Sequence, residues 1–156
     1  MMKNLFKLIA SILIAQGAGV IGSLFTIQNI PTWYATLNKP SFSPPNYLFG
    51  PVWITLYFLI GISFFLVWKK QGEMSIKIPV IVFSVQMVLN AAWSIIFFGM
   101  KNPMFAFFEI VVLWVFIVLC MVTFYSVSRT ATWLLVPYLL WVSFASVLNF
   151  KVWMLN

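Results

Sequence analysis

The sequence predicts an all-α integral membrane protein in which five helices cross the bilayer and pack as one bundle. Of its 156 residues, 63% are hydrophobic and only 7% are charged, whereas a soluble domain carries about 25% charged residues. So few charges cannot cover the surface of a water-soluble protein, and most of the outer surface must therefore face lipid. The second observation is that the apolar residues form five long stretches.

A transmembrane helix needs roughly 20 mostly apolar residues. Five stretches of a single domain, 1–156, meet this requirement, namely residues 5–27, 47–68, 78–98, 105–127 and 132–155. The first stretch follows Lys3 and Lys7 as a signal peptide would, but its apolar character continues to Ile27. Because this length exceeds that of a signal-peptide core, we predict a retained first helix.

The net charge of +7 does not indicate a nucleic-acid partner, because the basic residues form no stripe and nearly all lie between the apolar stretches. Cations placed this way mark membrane boundaries, and their excess marks the cytoplasmic side. The side that includes the N-terminus holds Lys3, Lys7, Lys69, Lys70, Lys77 and Arg129, and the other side holds Lys39, Lys101 and Lys151. We therefore predict a cytoplasmic N-terminus.

The sequence has one cysteine, Cys120, and no histidine. These counts exclude an intrachain disulfide and a histidine-dependent nucleophile of the serine–histidine or cysteine–histidine kind. A zinc site would need several Cys, His or carboxylate ligands, and haem iron is commonly held by histidine. We therefore predict no metal site and no required cofactor.

The connection between the first two spans, residues 28–46, is long and contains four prolines and three aromatic residues. They are Pro31, Pro40, Pro44 and Pro45, with Trp33, Tyr34 and Phe42. One interpretation is an aromatic belt at the membrane interface, and the other is a lid folded over the helix ends. The length and composition favour the lid.

Three helices each present a face that combines aromatic with polar or small residues. The faces are Trp53, Tyr57, Gly61 and Phe64; Gln86, Asn90, Trp93 and Phe97; and Tyr138, Trp141, Ala145 and Leu148, with Asn149 beside the last. The amides of Gln86 and Asn90 would lack partners in lipid, so their face must point into the bundle. One such face alone indicates core packing, but three together predict a cavity lined by flat rings.

Two further features leave alternatives open. Small residues recur every four positions in the first helix, at Ser11, Ala15, Gly19 and Ser23. This spacing is typical of close helix packing, and packing within the chain is favoured over a dimer interface.

Glu109 is the sole acid within a span. A structural hydrogen bond to Trp or Tyr is favoured over a functional role, although ionisable residues within membranes are commonly functional.

Several separated motifs together resemble one known family. They are Trp33-Tyr34-Ala35-Thr36-Leu37-Asn38-Lys39-Pro40, Pro44-Pro45, Gly50-Pro51-Val52-Trp53, Leu56-Tyr57, Gly61, Gln86, Asn90, Trp93, Phe97-Phe98-Gly99, Pro137-Tyr138, Trp141, Phe144-Ala145, Leu148-Asn149 and Trp153. Their order and spacing are similar to those of the translocator protein (TspO/MBR) family, also called tryptophan-rich sensory proteins or peripheral-type benzodiazepine receptors.

The resemblance implies a homodimeric five-helix bundle in a prokaryotic cell membrane, with a pocket for protoporphyrin IX between the helices and under the first loop. Many members of the family are also expected to bind sterols and benzodiazepine-type ligands. Phe150 and Met154 depart from the family's sterol-recognition segment, which puts sterol binding there in doubt. We expect the ligand to contact Trp33, Lys39, Trp53, Tyr57, Gln86, Asn90, Trp93, Phe97, Tyr138, Trp141, Ala145 and Leu148.

Two classes of function follow from this pocket. The first is a receptor, sensor or carrier that binds a metal-free porphyrin by stacking and shape, with Lys39 pairing a carboxylate. The second is an enzyme that degrades porphyrin in light, with Trp53 and Trp141 as catalytic electron donors, a role that the resemblance implies. Binding is favoured, because the spans supply no general base other than Glu109. A conventional transporter usually shows repeated halves, and this sequence shows none.

Overall fold

The computed structural model describes residues 2–156, and its regular structure is helical, with no strand in that range apart from one isolated bridge between Gln71 and Met74. The helices are α1 (Met2–Asn29), α2 (Asn46–Trp68), α3 (Lys77–Ser94), α4 (Pro103–Tyr125), α5 (Arg129–Leu134) and α6 (Val136–Leu155). The π-helical turns Ile30–Tyr34 and Ile95–Gly99 extend α1 and α3. Five membrane spans result, with α5 and α6 forming the last, which confirms the predicted fold class.

The helices form a ring in the order α1, α2, α5–α6, α4 and α3. In this ring α1 packs against both α2 and α3, while α4 packs against both α3 and α6. Helix α2 reaches the last span mainly through α5, and its contact with α6 is slight. The bundle is therefore tight around α4 and looser between α2 and α6.

The first connection is shorter than the predicted 28–46, because the first helix continues as the π-helical turn to Tyr34. Pro31 lies at the start of this turn, inside a continuous helix, where its missing N–H removes one backbone hydrogen bond. Trp33 and Tyr34 then pack on the π-helical turn of α3, with ring centroids 5.6 Å from Phe97 and 5.7 Å from Phe98 respectively. Burial of these rings stabilises a helical extension that the proline count did not predict.

The last span begins at Arg129, three residues before the predicted 132, and its helix is interrupted at Leu135. The hydroxyl oxygen of Ser128 accepts a hydrogen bond from the Ala131 N–H at 3.3 Å and caps α5, as serine commonly does at this position. Pro137 lies at the start of α6 and cannot donate to the preceding turn, so the helix restarts there.

The small residues of α1 pack inside the bundle. Ser11 and Ala15 of the predicted pattern are buried within the single chain, together with Ala18 and Gly22, whereas Gly19 and Ser23 are half-buried. A Cβ atom on Gly61 of α2 would lie 2.7 Å from the Cα atom of Ile12. The backbones of α1 and α2 therefore approach each other more closely than any larger residue would permit.

A chain of buried hydrogen bonds joins α2, α3 and α6. The Tyr57 hydroxyl donates to Oδ1 of Asn90 at 2.5 Å, and Nδ2 of Asn90 donates to the Tyr138 hydroxyl at 2.9 Å. The Tyr138 hydroxyl in turn donates to Oε1 of Gln86 at 3.1 Å. The face of Gln86 and Asn90 thus points inward as predicted, and its amides find partners that lipid could not supply.

The close approach at Gly61 leads to a first prediction. Gly61→Ala should destabilise the folded chain by about 1–3 kcal/mol, because the added methyl group meets backbone that cannot move aside. Gly17→Ala is the matched control: nothing lies within 4 Å of its Cβ position, and alanine should stabilise α1 by up to about 1 kcal/mol. The free energy of unfolding in mixed micelles measures both, and equal effects would contradict the packing described.

The hydrogen-bond chain leads to a second prediction. Asn90→Leu should lower the free energy of unfolding by about 1–2 kcal/mol, because it leaves the Tyr57 hydroxyl without its acceptor inside the membrane. Adding Tyr57→Phe to Asn90→Leu should cost less than the sum of the two single changes, since both partners are then removed. Strict additivity in this double-mutant cycle would show that the two side chains are not coupled.

Candidate ligand-binding cavity

A cavity of about 440 Å³ lies between α1, α2, α3 and α6. Tyr34, Asn46 and Phe98 line it, which places it in the half of the bundle that carries the first connection. The polar chain lies at its inner end, because the Tyr57 ring lines the cavity while the Tyr57 hydroxyl bonds to Asn90. Its volume falls within the range of small-molecule sites.

Indole rings from three helices face this cavity. Trp53 of α2 stacks on Tyr57, with centroids 5.3 Å apart and planes at 27°, and Trp93 of α3 stacks on Phe97 at 5.1 Å and 23°. Trp141 of α6 meets Phe49 edge to face at 6.2 Å. These aromatic pairs hold each indole by packing on its neighbours, so the walls are largely formed before any ligand arrives.

The structure brings seven of the twelve expected ligand-contacting residues to this cavity. They are Trp53, Tyr57, Trp93, Phe97, Trp141, Ala145 and Leu148. They come from the three faces that the residue periodicity identified. Periodicity alone therefore found the α2, α3 and α6 walls.

The other five do not reach the cavity. Gln86, Asn90 and Tyr138 share the predicted faces but lie deeper along the helix axes, in the polar chain. Trp33 packs against Phe97 and Phe98 without lining the cavity. A helical repeat shows which side of a helix faces inward, but not at what depth the open space ends.

Lys39 does not line the cavity and is bonded within the chain. Its Nζ donates to the carbonyl oxygens of Tyr34 at 2.8 Å and Leu37 at 3.0 Å, and it lies 4.8 Å from the centroid of the Tyr34 ring. The free carbonyls at a helix C-terminus attract such a cation. Lys39 therefore stabilises the end of the first helix.

The α1 wall was not among the expected ligand contacts. Its lining residues include Gln16, Gly19, Val20, Gly22, Ser23, Thr26, Ile27 and Ile30. Gly19 and Ser23 belong to the small-residue pattern that the sequence showed, and this pattern was interpreted only as helix packing. Small side chains also leave space, and that signal could have identified the fourth wall.

Of the predicted lid, residues 28–46, the cavity is lined by Ile30, Tyr34 and Asn46, at its two ends, and by none of residues 35–45. The connection also lies against α6, where Phe42 meets Phe144 with centroids 6.3 Å apart. The side-chain amide of Asn156 bonds to both backbone groups of Asn38, at 2.9 and 3.0 Å. The cavity wall nearest this connection is formed by Tyr34.

The cavity is electrically neutral: of the residues from 2 to 156, those that line it include no Lys, Arg, Asp or Glu. Most of its polar groups are already bonded, such as Asn149, which accepts from Nε1 of Trp93 at 3.0 Å and donates to the Pro103 carbonyl at 2.7 Å. The Trp53 and Trp141 indole N–H groups have no partner in the described part of the chain. These two donors are therefore available to a ligand.

Glu109 does not line the cavity and does not form the expected hydrogen bond to Trp or Tyr. Both of its carboxyl oxygens are buried and lack a hydrogen-bond partner among residues 2–156. The described residues also contain no group of three metal-ligating side chains. The favoured structural interpretation of Glu109 is thus not supported by any contact.

Comparison with known proteins identifies the family. The model of the TspO/MBR family matches residues 11–154. The chain is 45% identical to the tryptophan-rich protein TspO of Archaeoglobus fulgidus over 98% of this chain and 99% of that protein. It is 39% identical to the human translocator protein over 85% and 80%, and 35% identical to the tryptophan-rich sensory protein of Cereibacter sphaeroides over 80% and 77%. The chain therefore belongs to the TspO/MBR family.

Proposed function

We propose that this integral membrane protein is a receptor, sensor or carrier that binds protoporphyrin IX and other flat apolar molecules in the α1–α2–α3–α6 cavity. The observation that carries the proposal is the convergence of Trp53, Trp93 and Trp141, from three helices, on one neutral cavity. Each aromatic pair adds about 0.5–1.5 kcal/mol to the free energy gained by burial. Several such contacts around one macrocycle suffice for specific binding.

The charge distribution supports a ligand held by its ring system. No lining residue in the described range is charged, and Lys39 is occupied by two carbonyl oxygens. Moving an unpaired carboxylate into such a cavity would be costly. The free indole N–H groups of Trp53 and Trp141 can donate hydrogen bonds to a neutral or partly exposed carbonyl group, while the carboxylates remain at the edge of the cavity.

Regulation by the bound ligand is favoured over simple storage. A relative that is 35% identical is called a sensory protein, and the aromatic walls adjoin the hydrogen-bond chain through Tyr57. A ligand that shifts the Tyr57 ring would therefore act on the contact between α2 and α3. The family resemblance further supports a homodimer in a prokaryotic membrane, and the distribution of Lys and Arg supports a cytoplasmic N-terminus.

Light-dependent degradation of the porphyrin is the second candidate function. Trp53 and Trp141 both line the cavity, so a bound macrocycle would touch the two indoles that the family resemblance implicates. Light absorbed by the porphyrin, with dissolved oxygen as oxidant, would supply the chemistry. The two candidates share one binding site and differ in whether a product forms.

The binding proposal predicts the effect of filling the cavity. Ala145→Phe should weaken protoporphyrin IX binding at least about tenfold, because its ring would occupy the space of the macrocycle. Leu140→Phe is the matched control, since Leu140 lies on the lipid-facing side of the same helix, is 64% exposed and does not line the cavity. Titration in detergent, followed by porphyrin absorbance, measures both; unchanged affinity in Ala145→Phe would place the site elsewhere.

Illumination of the purified complex separates the two candidate functions. If the protein is a receptor or carrier, the porphyrin spectrum should decay no faster with protein than in protein-free micelles of equal oxygen content. An enzyme would accelerate the decay and form a defined product, and Trp53→Phe or Trp141→Phe would abolish this acceleration. Binding measured in the dark on the same variants shows whether a lost product reflects lost chemistry or lost affinity.

A further inference from the structure

The cavity is enclosed on three sides and exposed on one. Its lining residues from α3 and α6 are all buried or half-buried, whereas its exposed lining residues all belong to α1 and α2. These exposed residues are Val20, Ile27, Asn46, Gly50 and Ile54. The opening therefore lies between α1 and α2, on the side of the bundle.

The edges of this opening are mainly apolar. Val20 and Ile27 lie two turns apart on α1, and Ile54 faces them from α2; their side chains are 60%, 68% and 62% exposed. From Asn46 to Ile54 the α2 edge extends for eight residues, or about 12 Å. Large apolar side chains exposed beside an opening in a membrane span face acyl chains.

Specific contacts end the opening toward the middle of the membrane. Nε2 of Gln16 donates to the Ile54 carbonyl at 3.1 Å and joins α1 to α2 at this level. Gly19 contacts the Tyr57 ring at the same level, and nearer the middle of the membrane Gly61 lies against Ile12. The gap is thus confined to the half of the bundle that contains the cavity.

The membrane-surface end of the cavity is closed by a separate set of contacts. Asn38 and Asn156 are joined by two hydrogen bonds, and Nδ2 of Asn38 also donates to the Leu155 carbonyl at 3.3 Å. Lys39 holds the end of the first helix, and Tyr34 packs on Phe97 and Phe98. Access from the water side would require these contacts to break.

We propose that the gap between α1 and α2 is a lateral portal through which the cavity exchanges its contents with the hydrocarbon phase of the bilayer. When no ligand is bound, a lipid acyl chain then occupies the cavity, and a flat apolar ligand dissolved in the bilayer replaces it. The Asn38–Asn156 contact keeps the surface end shut during this exchange. The portal is a property of the cavity and holds whichever ligand the cavity binds.

The test measures how fast a reagent dissolved in the bilayer reaches the far wall. Cys120 is buried and would be removed by Cys120→Ala, and Ala145→Cys would place a single thiol on the α6 wall, opposite the gap. An apolar aryl maleimide, partitioned into phospholipid vesicles that hold the protein, should label this thiol. In that background Ile27→Trp with Ile54→Trp should slow labelling at least about tenfold by obstructing the portal.

Two further variants control the result. Leu24→Trp with Phe58→Trp places the same rings on α1 and α2 at exposed positions, 64% and 47%, that do not line the cavity, and labelling should stay within about twofold of the parent rate. Asn156→Ala frees the surface end and should also leave the rate unchanged. Complete labelling of every variant in denaturing detergent shows that the thiol is present and reactive.

Three outcomes would overturn the portal. They are equal labelling rates in the obstructed and control pairs, faster labelling in Asn156→Ala with no effect of the obstructing pair, and no labelling of the parent in vesicles. Because the reagent is a maleimide and no porphyrin is present, these outcomes are independent of the proposed ligand. A protein that binds no porphyrin can still show the portal, and a porphyrin receptor can still lack it.

Discussion

Hydrogen bonds from Tyr57 through Asn90 and Tyr138 to Gln86 hold α2, α3 and α6 in one register inside the membrane. Lipid offers these groups no hydrogen-bond partners, and apolar surfaces have no hydrophobic driving force to associate within lipid. The polar chain therefore largely fixes the positions of the helices relative to one another along the membrane normal. Tyr57 belongs to both parts of the molecule, since its hydroxyl ends the chain and its ring lines the cavity. The positions of the aromatic walls therefore depend on a polar contact beneath them.

Above the polar chain, the cavity exists because α1 provides little bulk. Gly19 lies against the Tyr57 ring, and a Cβ atom on Gly22 would meet the Ser94 hydroxyl at 2.9 Å. Large rings on three helices and small residues on the fourth leave open space with flat walls. Toward the other end, Gly61 lets α1 and α2 touch, and the space closes. One helix pair is thus tightly packed at one end and open at the other.

The sequence was sufficient to predict the features of the structure that contact with lipid determines. Hydropathy predicted the bounds of the five spans to within a few residues at most ends. The inward face of α3 was predicted because the amides of Gln86 and Asn90 need hydrogen-bond partners inside the membrane. It was insufficient where one local contact outweighed a general tendency. Pro31 suggested a loop, but burial of Tyr34 extends the helix through it, and the charge of Lys39 suggested a ligand contact although two nearby carbonyl oxygens bind it. The depth of the cavity depends on which residues are small across the helix interface, and periodicity does not report that.

The position of the bound macrocycle is the central claim, and heavy-atom labelling locates it most directly. Crystals grown from a lipidic phase with a brominated porphyrin would give anomalous difference peaks at the bromine atoms. We predict peaks between Trp53, Trp93 and Trp141, with the ring plane against at least two of the indoles. Peaks confined to the outer groove beside Trp114 and Phe150, with the inner cavity empty of bromine, would contradict the account.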